Sequence, residues 1–349
     1  VLGSSSGISD MTLSGADAKL TGESINDRAG YRSVSTAGDV NNDGYSDVLV
    51  GVHFDDTWGT DSGAAYLVLG SSSGISDMSL SSADAKLTGE AGSDFAGSSV
   101  SAAGDVNNDG YSDVLVGAAG EDTGGTFAGA AYLVLGSSSG ISDMSLSSAD
   151  AKLTGEARDD EAGYSVSTAG DVNNDGYSDV LVGAPREDTG GTNAGAVYLV
   201  LGSSSGISDM SLSSADAKLT GEAYDDGVPE WETAEGRGAG CSVSTAGDVN
   251  GDGYSDILIG HRGEDTGGIQ SGVAYLVLGS SSGISDMSLS SADAKLNAES
   301  EGDVAGYSVS TAGDVNNDGY SDVLVGAPGV DVDAYGWSSV GAAYLVYGF

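Results

Sequence analysis

The sequence predicts an all-β chain, a five-bladed β-propeller with four antiparallel strands per blade. Three observations lead there. The string Asp-Val-Asn-Asn-Asp-Gly-Tyr-Ser-Asp occurs four times, and a fifth copy differs at one residue. The copies begin at Asp39, Asp105, Asp171, Asp248 and Asp314, at spacings of 66, 66, 77 and 66 residues. Repeats of this length built from short strands suit a propeller, whose ring protects its strand edges. Helical periodicity is absent, and apolar runs of strand length follow each copy. The two ends are also complementary. The chain opens with Val1-Leu2-Gly3 and a strand around Ala18 to Gly22, and it closes on three strands ending at Tyr344-Leu345-Val346. The N-terminal strand is therefore expected to complete the last blade and close the ring.

Taken in order through the third repeat, strands are predicted near Tyr164 to Thr168, Asp179 to Gly183 and Ala194 to Leu201. Ala151 to Gly155 is the fourth strand of the preceding blade. The second and third strands are apolar on both faces, as strands buried between layers are. The fourth alternates, with Leu153 inward and Lys152 and Thr154 outward. All five lysines (Lys19, Lys86, Lys152, Lys218, Lys295) share this position. On an outer edge a lysine discourages pairing with other chains. The five methionines, Met11, Met78, Met144, Met210 and Met287, read as local packing plugs. The expectation is one domain over 1–349, with blades near 29–88, 96–154, 162–220, 239–297 and 305–349 plus 1–22.

Each repeated string places oxygen atoms at alternate positions around a glycine turn. Positions 1, 3, 5 and 9 carry carboxylate or amide oxygens, and the carbonyl of position 7 adds another. The candidate ligands are Asp39, Asn41, Asp43, Tyr45 and Asp47; Asp105, Asn107, Asp109, Tyr111 and Asp113; and Asp171, Asn173, Asp175, Tyr177 and Asp179. The later copies give Asp248, Asn250, Asp252, Tyr254 and Asp256, then Asp314, Asn316, Asp318, Tyr320 and Asp322. A hard, flexible, all-oxygen set suits calcium, about five ions in all, better than magnesium or zinc. It is not an EF-hand, because position 12 is a strand residue such as Val182 and no helices flank it. An Asx-rich turn that binds nothing is the plainer alternative.

At these residues the chain resembles the FG-GAP repeats of integrin α-subunit propellers and of bacterial surface proteins. Ala162-Gly163-Tyr164 matches the Phe-Gly element, Gly170-Asp171 to Asp179 the calcium loop, and Gly183-Ala184-Pro185 the Gly-Ala-Pro element. The last recurs at Gly326-Ala327-Pro328 and degrades to Gly51-Val52-His53, Gly117-Ala118-Ala119 and Gly260-His261-Arg262. The resemblance implies a calcium-stabilised propeller acting in adhesion. It departs in number, since integrin propellers have seven blades and five are counted here.

The formal charge is −42, from 53 acids and 11 bases. Such a surface repels nucleic acid and anionic membrane, and it suits an extracellular or cell-surface setting. No apolar run reaches membrane-spanning length. The abrupt start at Val1 suits a processed or excised chain. The lone Cys241 reads as a buried thiol.

Where the repeats disagree, they do so on one face, in the loops between second and third strands and between blades. Phe54, Trp58, Phe95, Phe127, Tyr224, Trp231, Tyr335 and Trp337 lie there, and they are the candidate ligand-binding residues. Loop drift is the bland alternative. Catalysis has little support: His53 and His261 fall in different repeats, and Asp159, Asp160, Glu187 and Asp188 look like a solvated acidic rim. A binding, adhesion or assembly module, including a filament subunit, is expected, with a protein or glycan partner and possible self-assembly. A lectin is the alternative and a hydrolase the remoter one.

Overall fold

The computed structural model describes residues 12–222, 238–331 and 339–349. The first strand is β1 (Leu20–Thr21). The first repeat supplies β2 (Val34–Gly38), β3 (Asp47–Val52), β4 (Ala64–Val68), the two-residue β5 (Met78–Ser79) and β6 (Ala85–Thr88). The second supplies β7 (Ala96–Gly104), β8 (Asp113–Ala118), β9 (Ala130–Val134), β10 (Met144–Ser145) and β11 (Ala151–Thr154). The third supplies β12 (Ser165–Gly170), β13 (Asp179–Ala184), β14 (Ala196–Val200), β15 (Met210–Ser211) and β16 (Ala217–Thr220). The fourth supplies β17 (Ser242–Gly247), β18 (Asp256–His261), β19 (Val273–Val277), β20 (Met287–Ser288) and β21 (Ala294–Asn297). The fifth supplies β22 (Ser308–Gly313), β23 (Asp322–Ala327) and β24 (Ala342–Val346).

Each of the first four repeats folds into an antiparallel sheet in chain order, such as β12-β13-β14-β16. Second and third strands are buried along their whole length in these four, apart from one half-buried residue in β3, as two-sided apolar runs require. The first strands pack side by side in the series β2, β7, β12, β17, β22. All five line one channel of about 790 Å³. Each main core cluster joins two consecutive sheets: Leu49, Leu67 and Leu87 of the first pack with Val114, Val116 and Tyr132 of the second. Cys241 is buried and free.

Consecutive sheets meet at backbone. Gly163 has φ +79°, and a Cβ there would stand 2.1 Å from the carbonyl oxygen of Ala130 in the preceding sheet. A Cβ on Gly117 would stand 2.0 Å from the carbonyl oxygen of Gly163. These are the glycines of the Phe-Gly and Gly-Ala-Pro elements, and no side chain fits between them.

The fourth strands differ from expectation. In the first three sheets they are not free edges, because each pairs in parallel with the Met-Ser strand of the next repeat: β6 with β10, β11 with β15 and β16 with β20; β21 remains an edge among the described residues. Nor do their lysines point to open solvent. Lys152 Nζ donates to Glu121 Oε1 at 2.9 Å and to Glu90 Oε1 at 3.1 Å, above the Tyr132 ring. Burial alone would lower the Lys152 pKa; the two carboxylates outweigh it and hold the ammonium above its ordinary value. Lys86 and Lys218 make the same clamp.

Ring closure is corrected. Strand β1 pairs with β5, as the other fourth strands pair with Met-Ser, but it does not pair with β24. The last sheet has three strands among the described residues, and no closed ring forms. Val1, Leu2 and Gly3 lie outside those residues. The clamp supplies a physical reason. Val330 stands where Asp55, Glu121, Glu187 and Glu264 stand in the other repeats. The lysine that would cover Tyr344, Lys19, is exposed. The unpaired strand leaves Leu345 41% exposed, whereas Leu67, at the same position in the first sheet, is fully buried.

Replacing Gly163 with Ala should cost about 2–4 kcal/mol, from positive φ and the clash with Ala130 together. Gly283, at φ +71° with nothing within 4 Å, isolates the first effect, and its Ala variant should lose only about 1 kcal/mol. Denaturant unfolding of both variants checks this; equal losses would remove the backbone contact from the account.

Candidate functional site

The repeated string forms the turn between first and second strands. Glycine at position 6 has φ of +91° at Gly44, +92° at Gly110 and +93° at Gly176. Position 4 is also left-handed, with φ +55° at Asn42, Asn108 and Asn174. This explains the single variation among copies, since Gly251 replaces Asn at φ +72° and both residues tolerate that region.

Side chains hold the turn from inside. In the first copy, Asp39 accepts N–H bonds from Asp43 at 3.0 Å and Gly44 at 2.8 Å. Asn41 Oδ1 accepts from Asp43 N at 3.1 Å, and Asp43 Oδ1 from Tyr45 N at 3.0 Å. Asp47 is buried, and its two oxygens accept from Val40 N at 2.9 Å and Gly70 N at 2.8 Å. The pattern recurs at Asp105, Asn107, Asp109 and Asp113, and in every later copy. Successive turns are also joined: Ser112 N donates to the Asp39 carbonyl at 3.0 Å, and Ser178 N to that of Asp105 at 3.0 Å.

The donor set is all oxygen, and each bonded carboxylate oxygen keeps a lone pair, which suits a hard cation. The three carboxylates of a turn also feel one another. Burial first, then the charges of Asp105 and Asp109, push Asp113 up to about 6, against N–H bonds from Val106 and Gly136. Asp179 is pushed to about 7 in the same way. Yet among the described residues no three acids, histidines or cysteines converge as a ready cation cage. A metal would require the exposed ligands to turn inward.

The opposite face gathers part of the predicted ligand set. Phe54, Phe95 and Phe127 line one hollow of about 340 Å³ with Tyr31, His53 and Tyr164. The Phe54 and Phe95 rings meet edge-on at 6.3 Å. Trp58 lies elsewhere, 62% exposed, in a hollow of about 280 Å³ with Lys86, Asp143 and Met144. Tyr224, Trp231, Tyr335 and Trp337 lie outside the described residues. Two arginines, Arg28 and Arg32, also line the aromatic hollow. Both depart from the repeat, Arg28 in a variable loop and Arg32 as an extra residue between Tyr31 and Ser33, but neither stood among the candidate ligand-binding residues, which were chosen as aromatics. Of the suspected acidic rim, Asp160 and Glu187 are buried and engaged: Asp160 Oδ2 accepts from Ala157 N at 2.9 Å, and Glu187 pairs with Lys218.

Sheets of four strands stacked about one channel, with acidic turns on one face and variable loops on the other, define a propeller-like repeat protein. The FG-GAP repeat profile matches residues 30–68, 96–134, 162–200, 240–277 and 305–346. The chain belongs to the FG-GAP repeat family, of the integrin α-like kind. It is 33% identical over 180 residues to integrin alpha-PS5 of Drosophila melanogaster, covering 51% of this chain and 16% of that protein. It is 33% identical over 169 residues to integrin alpha-4 of Xenopus laevis, covering 48% and 14%. Integrin alpha-V of Gallus gallus is 30% identical over 187 residues, covering 51% and 16%. The matched region is thus about a sixth or less of these relatives.

A carboxyl with a raised native pKa contributes stability at low pH that is lost as pH rises through that value. His53 and His261, held near 4 and 3 by burial, act oppositely, but only below their unfolded value of 6.5. In calcium-free buffer the melting temperature should therefore fall from about pH 6.5 to about pH 8, and Asp179→Asn should flatten that slope. A rise over this interval would contradict the assignment.

Proposed function

We propose that this chain is a calcium-stabilised extracellular binding module, a single five-bladed unit over 1–349 that works in adhesion or assembly. Its integrin relatives support the class. The observation that carries the reading is the division of the molecule. The framework and one face are repeated almost verbatim, whereas Phe54, Phe95 and Phe127 gather on the other face. Selection for folding alone gives no reason to concentrate aromatics there from three different positions of the repeat. The partner is a protein or glycan. The acidic surface disfavours nucleic acid and membrane insertion, and no helix among the described residues is long and apolar enough to cross a membrane. Among the described residues of the variable face nothing resembles a paired acid and base, and no enzymatic role is proposed.

Calcium fits as the structural ion, held by Asp39, Asn41, Asp43 and Asp47 and their counterparts, with Tyr45 and its counterparts offering a carbonyl. It would neutralise carboxylates that repel one another at each blade junction. The unpaired edge of β24 accepts a further strand of the Ala-Lys-Leu-Thr type, from Ala18 to Thr21 of this chain or from a neighbour, which is the route to self-assembly. A lectin is the second reading. It draws on the exposed Trp58 beside Lys86 and Asp143 at a junction between sheets, where an indole face stacks on a sugar ring.

Calcium at about 1 mM should raise the melting temperature, more at about pH 8 than at about pH 6, with titration giving about five sites in the 10⁻⁴ to 10⁻³ M range. An unchanged melt with and without EDTA would count against it.

Panels of extracellular-matrix proteins and of glycans, probed with the calcium-loaded chain, test the binding face. A triple Phe54→Ser, Phe95→Ser, Phe127→Asn variant should lose capture while keeping its melting temperature within a few degrees. Retained capture would move the site elsewhere, to Trp58 if only glycans are held.

A further inference from the structure

We infer that the aromatic hollow over the first three sheets is a carboxylate-binding pocket, taking an anionic group that carries a phenyl or other apolar neighbour. The inference rests on the binding-face reading and names its ligand chemistry.

Charge is the first observation. The chain has 53 acids and 11 bases, so carboxylates are plentiful around its few arginines. Arg158 pairs with Asp159 at 3.0 Å and Arg186 with Glu161 at 3.2 Å. Arg28 and Arg32 both line the hollow, and neither makes an ion pair among the described residues. Arg28 instead lies over the rings of Tyr31, at 5.4 Å, and Phe54, at 5.2 Å. Arg32 lies 4.9 Å over Tyr164, whose hydroxyl accepts its Nη2 at 3.3 Å. Stacking fixes the guanidinium planes and leaves most of their N–H donors unused.

The second observation is polar and buried. His53 is 4% exposed, lines the hollow, and its Nδ1 has no hydrogen-bond partner. Burial and the two guanidiniums hold its pKa at about 4, so the ring is neutral and carries one donor. Two guanidiniums and an unpartnered imidazole nitrogen face one space, with the lone acid of its lining, Glu161, paired to Arg186 and also within the field of Arg32, and they describe a site for an anion.

Backbone geometry is the third. Phe95 and Phe127 both sit at φ +54°, a region that resists bulky residues. The conformation recurs at both positions in other repeats, at Asp61, Asn193 and Gln270 for Phe127 and at Arg28, Glu161 and Val304 for Phe95, so the turn is set by the repeat and the residue that fills it is free to differ. Only here do both places hold phenylalanine among the described residues, and both rings line the same hollow. The rings supply walls for the apolar part of the ligand, and the guanidiniums supply its carboxylate partner.

Hippurate, a phenyl group and a carboxylate on one small frame, is the probe. The calcium-loaded full chain would be titrated with hippurate, with its uncharged amide and with phenethylammonium. Binding is followed by the imidazole NMR signal of His53, one of only two histidines. Hippurate should move that signal saturably and raise the His53 pKa, because an anion offsets the guanidinium charges. The amide should bind at least about tenfold more weakly, and phenethylammonium should not compete. Arg28→Gln and Arg32→Gln should each weaken hippurate, as should Phe127→Asn, which the fold accepts at Asn193. Arg158→Gln should not. Equal binding of hippurate and its amide, preference for the cation, or no saturable shift would each overturn the inference. Its failure is separable from that of the binding face. Loss of matrix or glycan capture in the triple phenylalanine variant, with hippurate inert, would leave the face and remove only the carboxylate.

Discussion

Everything in this molecule follows from how closely one sheet approaches the next. The approach is made by backbone, through Gly117 against Gly163 and Gly51 against Gly97, where a single added carbon would stand 2.0 to 2.2 Å from a carbonyl oxygen. Contact that close fixes the angle between sheets. It brings each serine of one first strand onto the next, so that Ser33 Oγ accepts from Val100 N at 2.8 Å. It also stacks the acidic turns in a row and the variable loops in another. The two faces differ in composition because one junction geometry, repeated, sorts the described loops to one side or the other.

The side chains then secure what the glycines permit. A lysine from the fourth strand reaches an acid on its own sheet and one that follows the preceding fourth strand, as Lys152 does with Glu121 and Glu90. Glu121 is buried, and a buried carboxylate without its partner is costly, so the clamp cannot be loosened at one end. The fifth sheet displays the result of missing parts. Val330 interrupts the acid series, no next sheet faces Gly326, and Tyr344 retains Glu299 without a lysine above it. Leucines buried elsewhere are exposed there. A sheet in this architecture is thus complete only with neighbours on both sides, which is the physical content of a repeat protein.

The strands buried on both faces were legible because continuous apolar runs such as Val180-Leu181-Val182 have few other uses. The acidic turn was legible because Asn, Asp and Gly at fixed offsets state their own backbone conformation, down to the interchange of Asn174 and Gly251. The Met-Ser strands were not. Two residues carry no periodicity, and the partner is far away in sequence: Lys86 N bonds Asp143 at a separation of 57 residues. The same distance hid the lysine clamp, in which an alternating strand with an outward lysine looks like a protected edge. Ring closure failed for a related reason. Complementary ends in a sequence say that a strand could fit; in the structure β1 stands apart from β24, and the sheet it would join has Val330 in place of the clamp acid. On the variable face, aromatics announced themselves by departing from the repeat. Arg28 and Arg32 depart from it too, but single charges in loops read as solvation and they were not counted with the aromatics.

The contrast between the whole surface and that hollow restricts what can occupy it. The net field of the chain is strongly negative and reaches about a Debye length into solution, roughly 8 Å at physiological salt. A highly charged acidic macromolecule is repelled before it arrives, far more than a small monoanion such as hippurate. Within the hollow, Arg28 and Arg32 reverse the sign over a few ångströms. A partner whose overall charge is neutral or positive, but which presents one carboxylate beside an apolar group, is attracted at long range and recognised at short range. A uniformly acidic partner satisfies the second condition and fails the first, so the acidic framework, although it makes no contact with the ligand, works as a filter on it.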